Sequence, residues 1–187
     1  RYPAFTLMLL ACLLMLTTHN ILNTYLLQII QSLGGNSSQL GIALAIQAVV
    51  EVPVLFGFSK LLKRFRPRTL MLTAAIGFAL KALMYALSSS VTMIYLIQVT
   101  QMISFALFAS ASVFYTSEAI AKEDQTTGQA YMTSMMAAGT VLGSLSGGWM
   151  LELSGMKAML SVFVIIALLG VCFALMSVRN IGLRRKV

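Results

Sequence analysis

Glu51 and Lys81 each stand in the middle of a long apolar stretch. Between them lies KLLKRFRPR, Lys60 to Arg68, a dense positive run with no acidic residue. Two apolar stretches joined by a basic loop describe two membrane helices connected on the cytoplasmic side. A charge at the centre of such a helix is costly, by at least about 2.5 kcal/mol on insertion scales. Two opposite charges at similar depth on consecutive helices are therefore expected to face each other or a wet cavity, and to serve a function there. A buried structural ion pair is the plainer alternative.

Composition supports this reading. Of 187 residues, 59% are hydrophobic and 10% are charged, against roughly 25% charged in a soluble domain. The net charge of +8 sits in loops between apolar spans. It marks topology and contact with anionic lipid rather than a nucleic-acid partner. Cys12 and Cys172 both lie inside apolar spans without a neighbouring partner and read as small apolar fillers.

Six spans can be drawn, at about 3–30, 39–62, 69–87, 91–121, 129–153 and 157–178. Each is long enough for a hydrocarbon core of about 30 Å, which takes about 20 helical residues. Ser37 and Ser38 are suited to cap the second span, and Pro53 is expected to kink it. Ser154 and Gly155 turn the chain between the last two. The expected fold class is all-α: a polytopic membrane protein with six transmembrane helices. Three plus three spans suggest two three-helix inverted repeats. With the N-terminus inside, Arg1, Lys60 to Arg68, Lys122 and the tail Arg179 to Lys186 are all cytoplasmic, and only Lys157 lies outside. Both termini are thus expected inside, in the cell (inner) membrane. The chain begins at Arg1 and enters a full span at once, which reads as a piece of something longer.

Several polar residues share the apolar spans. Gln47 is one turn from Glu51, and Gly77 and Tyr85 flank Lys81 by one turn each. His19 and Asn23 are one turn apart on the first span, with Asn20 beside them. His19 could carry a proton or be a hydrogen-bonded packing residue. On the fourth span Gln98, Gln101, Phe105, Ser112 and Tyr115 are spaced to fall on one side of a helix. Amides and aromatic rings facing a cavity suit a polar organic ligand such as a sugar; glutamines bonding between helices are the alternative. In GTVLGSLSGG, Gly139, Gly143 and Gly147 recur at every fourth position, with Gly148 following. That spacing lets two helices approach closely. It is not a phosphate loop, since no Gly-Lys-Ser/Thr follows. No nucleophile stands with a base and no metal-ligand set is visible, so the expectation is neither an enzyme nor a cofactor or metal site.

These residues resemble the C-terminal half of a major facilitator superfamily transporter. The shared features are six spans with both ends inside, the basic loop after the second, and GxxxGxxxGG in the fifth followed by Glu152 and Gly155. Within the superfamily the chain is similar to lactose permease-like oligosaccharide/proton symporters. Glu51 in AIQAVVEVPVLF matches a mid-membrane Glu of helix 8, and Lys81 in GFALKALM matches a buried Arg of helix 9. Gln101 and Ser104 stand where helix 10 carries a His and a Glu. Lys keeps the positive charge of the Arg but not its bidentate fork. The resemblance implies a half-transporter moving a small polar organic solute by alternating access, with a sugar and proton coupling as options. Its cavity wall would carry His19, Asn23, Gln47, Glu51, Lys81, Tyr85, Gln98 and Gln101. The implied partners are the solute, protons, lipid, and either an N-terminal half or a second copy. Efflux by proton antiport and a non-transporting membrane assembly module stand as alternatives.

Overall fold

A computed structural model describes residues 2–184, with side chains to residue 180. Arg1 and the last tail residues, 185–187, whose cytoplasmic placement the sequence suggested, lie outside the described residues. Among the described residues every regular element is helical. The elements are α1 (Pro3–Thr24), α2 (Leu26–Ser32), α3 (Ser37–Arg64), α4 (Pro67–Ala86), α5 (Val91–Gln98), α6 (Phe105–Ala119) and α7 (Gln125–Arg184). Short 3₁₀ turns occupy Val99–Met102 and Lys122–Asp124. Five helical stretches are long and apolar enough to cross a membrane.

The last of these makes two crossings. Gly155 has φ 75° and ψ 174°, far from helical values, in a region that favours glycine. Contacts with α1 give the directions of the two limbs. Gly139, Gly143 and Gly147 meet Leu13–Thr17, Thr17–Asn20 and Ile21–Tyr25 in turn, so the first limb runs parallel to α1. Beyond the turn, the Phe163 carbonyl lies at Thr18, Gly170 at Leu14 and Met15, and Ser177 at Ala4. The second limb runs the other way. The chain is thus an all-α polytopic protein with six crossings.

Three sequence expectations are corrected. The first span is divided at Tyr25, which leaves helical geometry; its hydroxyl donates to the Ser144 carbonyl at 2.8 Å and its ring packs on Gly147. The second span is capped by Asn36, not Ser37 or Ser38. Asn36 Oδ1 accepts from the backbone of Ser38 and Gln39, and Gln39 Oε1 accepts from Asn36 N at 2.9 Å, a reciprocal capping box. The fourth span breaks after Gln98, passes through the 3₁₀ turn, and resumes at Phe105.

Helix termini at the basic loop are also tied down. Pro67 opens α4 at a position where its missing N–H is no loss. The Glu118 carboxylate, at the end of α6, accepts from the Arg68 backbone N–H at 3.2 Å. A negative group there satisfies an orphan donor and meets the positive end of the helix dipole.

Two apolar clusters form the core. One gathers Met8–Leu16, Met71–Phe78 and Ala106–Tyr115; the other gathers Ile21–Ile30, Ala82–Tyr85, Ile94–Ile97 and Met159–Phe163. On α1 and the fourth span the two sets are separated by buried polar residues, Thr17, Thr18 and His19 on the one and Gln98, Gln101 and Ser104 on the other, and on α4 the buried Lys81 lies close to the boundary. The bundle thus has a polar layer at mid-depth between two apolar ones.

Candidate functional site

The polar layer is built around the break in the fourth span. An α-helix advances 3.6 residues per turn and a 3₁₀ turn 3.0. The tightening at Val99–Met102 brings Gln98 and Gln101 to the same neighbour, α4. Carbonyls near the break are met locally, by the Thr100 hydroxyl donating to Ile97 O at 2.7 Å and the Ser104 hydroxyl to Thr100 O at 2.9 Å. Three residues of one α4 face then meet the fourth span in antiparallel order. Tyr85 meets Gln98, Lys81 meets Gln101, and Gly77 lies against the Ile103 carbonyl and Ser104 N. A side chain at Gly77 would collide with that backbone, so the close approach depends on glycine.

Lys81 is 1% exposed. Its Nζ donates to Gln101 Oε1 at 2.5 Å, and Gln101 Nε2 donates to Glu51 Oε1 at 2.8 Å. Glu51 and Lys81 thus face each other without direct contact. One amide stands between them, its carbonyl toward the cation and its NH₂ toward the anion. The amide suits this place because it offers an acceptor at one end and donors at the other. Each charge also makes a charge-assisted hydrogen bond. Glu51 is half-buried and forms the accessible end of the chain.

Beside it lies an open cavity of about 530 Å³ between α1, α3, α6 and the first limb of α7. His19, Asn20 and Asn23 line it from α1, Gln47 from α3, Phe105 from α6, and Thr133 and Thr140 from α7. None of these side chains is an acid, a lysine or an arginine. The His19 ring stacks on Phe105 at 4.6 Å between centroids and meets Phe78 edge-on at 5.5 Å. Asn23 Nδ2 lies 3.0 Å from His19 Nε2 and donates to the His19 carbonyl. Gln47 Oε1 is buried and has no hydrogen-bond partner, although an unmet buried acceptor is disfavoured.

The sequence-derived residues thus fall into three groups. His19, Asn23 and Gln47 line the cavity. Glu51, Gln101 and Lys81 form the charge chain. Gln98 and Tyr85 are buried together, with Gln98 Nε2 donating to the Tyr85 hydroxyl at 2.7 Å. The stripe from Gln98 to Tyr115 is not one cavity face, because the helix breaks within it. Of its members only Phe105 reaches the cavity. Tyr115 instead shares a 2.7 Å hydrogen bond with Ser177, which donates to Ala4 O. Asn20, Thr133 and Thr140 are cavity residues outside the expected wall. Asn20 Nδ2 donates to Thr140 O at 2.8 Å and Ser144 Oγ at 2.7 Å, a bond to a helix far along the chain. Gly139, Gly143, Gly147 and Gly148 lie along α1 and Tyr25.

A helical membrane protein with a polar cavity, and a charge chain held at mid-depth beside it, has the construction of a solute transporter. The chain belongs to the MFS_1-like family, whose sequence profile matches residues 1–163. It is thus an integral membrane protein of the major facilitator transporter type, and that family is one of transporters rather than enzymes. A search of curated proteins gave no match.

Proposed function

We propose that this chain is a single six-helix bundle, the C-terminal half of a major facilitator transporter. It forms one wall of a pathway that moves a small polar organic solute by alternating access. The other wall is an N-terminal half or a second copy of the chain. The observation that carries this reading is the Glu51–Gln101–Lys81 chain, whose carboxylate end lies one helical turn from Gln47 of the cavity. A packing module would scatter its polar residues among helix contacts. Here His19, Asn20, Asn23, Gln47, Thr133 and Thr140 converge on one concavity. Amides, hydroxyls and a ring stack favour an uncharged, hydrogen-bonding solute; a sugar fits that description.

Glu51 is the coupling group in this reading. A proton or a cationic substrate group that takes its carboxylate weakens the hydrogen bond from Gln101 Nε2, which loses its charge assistance. Lys81 keeps the amide carbonyl and does not lose its partner at the same moment. The pair is then a switch rather than a strut. The test is transport by the full-length protein in proteoliposomes. The double variant Glu51→Gln with Lys81→Met should insert and fold but not transport. Normal transport by it would make the chain of contacts structural and the proposed site wrong.

The orientation follows the positive-inside rule, with both termini in the cytoplasm of a cell whose inner membrane holds the protein. Cysteines placed at Asn36 and Arg66, in a background lacking Cys12 and Cys172, should be labelled from opposite sides. Labelling of both from one side would contradict the six-crossing topology.

A further inference from the structure

A second cavity, about 320 Å³ and apolar, lies between α3, α4 and α6, further along α3 toward the basic loop than the polar one. Val54 and Phe65 line it from α3, Thr69 and Thr73 from α4, and Met102 and Leu107 from the fourth span. The Thr73 hydroxyl is turned to its own helix, donating to Thr69 O at 3.0 Å, so the groove offers little polar surface. From Val54 to Phe65 it follows about 16 Å of helix at 1.5 Å per residue, half of a hydrocarbon core of about 30 Å.

One end of the groove is cationic. Phe65, which lines it, lies under the Arg64 guanidinium, 5.8 Å from the ring centroid. Lys60, Lys63, Arg64 and Arg66 are all exposed, and no acidic residue lies between Ser59 and Thr69 in sequence. Arg68 is set apart from them, being engaged with Glu118. An apolar slot half a membrane deep, opening at a cluster of exposed cations on the positive loop, is complementary to one kind of molecule. The geometry points to a binding site for an anionic phospholipid, its headgroup on the Lys60–Arg66 cluster and one acyl chain in the groove between α3, α4 and α6. Basic clusters beside a membrane helix attract anionic lipid; the groove adds a fixed place for a chain.

The test uses the full chain in detergent, with lipid adducts counted by native mass spectrometry. Dioleoyl phosphatidylglycerol should be retained at least about 5-fold better than the phosphatidylcholine of the same chains, the factor that corresponds to about 1 kcal/mol for one basic residue near an anionic surface. Replacing Lys60, Lys63, Arg64 and Arg66 by Gln should abolish the preference. Thr73→Trp fills the groove from an exposed position and should release the retained lipid although every cation remains; Thr73→Val should retain it. Glycerol phosphate, the headgroup without chains, should not displace it. A diazirine on the acyl chain of phosphatidylglycerol should label wild-type residues 54–65 or 102–107, a readout independent of any variant's folding. Equal retention of the two lipids, retention by the Gln variant or by Thr73→Trp, displacement by glycerol phosphate, or labelling confined to other residues would each overturn the site.

Discussion

The α1–α7 interface and α3 are opposite solutions to life in the same bilayer. Along the first, backbone lies nearly on backbone: a Cβ added at Gly143 would fall 2.6 Å from the Thr17 carbonyl oxygen, and one at Gly139 2.8 Å from that of Leu13. Asn20 and Tyr25 add hydrogen bonds to the same seam. By contrast, α3 buries only Ala43, Val54 and Phe58, and nothing lies within 4 Å of where a side chain at Gly41 or Gly57 would begin. Apolar surface gives no drive for helix association in lipid, so association rests on close packing and polar contacts. The seam is accordingly framework. What connects α3 at mid-depth includes a polar contact, Gln101 to Glu51.

The largest expected effect is at that contact. Gln101→Leu leaves the Lys81 ammonium buried without its acceptor. It should destabilise the protein by about 3–5 kcal/mol, as for a broken buried pair, read as a loss of folded yield and a lower melting temperature in detergent. Adding Lys81→Met should restore most of the loss. No difference between Gln101→Leu and the double variant would show that the amide is not what offsets the buried Lys81 charge.

Next comes the seam. Gly143→Leu drives a side chain into the Thr17 carbonyl, a backbone atom that cannot turn aside. Overpacking typically costs about 1–3 kcal/mol, and here the upper end is expected, with monodispersity on size exclusion lost before the lipid-facing surface changes. The smallest effect is the control on α3. Gly57→Ala should be neutral or stabilise by about 0.5–1 kcal/mol through helix propensity. Thermal melts of the two glycine variants side by side measure the contrast directly. If both destabilise equally, the seam is not special.

The spans were legible because about 20 apolar residues between polar turns have few other uses, and the turn at Gly155 because glycine alone accepts its φ. Glu51 and Lys81 stood out for the same reason: they are charges in apolar surroundings. What joins them was not legible. In VTQMIS nothing announces a broken helix, since neither Gly nor Pro is present. Continuous helical spacing therefore assigned Gln98 and Gln101 to a cavity face when the 3₁₀ turn gives them to α4. Asn20 is visible beside His19 and Asn23, but its place in the cavity wall is not, because its partners, Thr140 and Ser144, lie more than a hundred residues away. The Asn36 cap was within reach, as Gln39 three residues on completes its box.

The division of the fourth span has a mechanical consequence. Its first piece is fastened to α4 through Gln98 and Tyr85. Its second piece packs on α4 as well, Phe108 meeting Phe78 at 5.9 Å between centroids, and adds ties to α1: Phe105 to the His19 ring, and Tyr115 through Ser177 to the start of the helix. The joint between the two pieces is the segment that carries Gln101. In the proposed transporter a swing at that joint would move the Phe105 wall of the polar cavity and strain the amide between Glu51 and Lys81 in one stroke, so that occupancy of the cavity and the state of the carboxylate would be geared together through six residues of chain, 99–104.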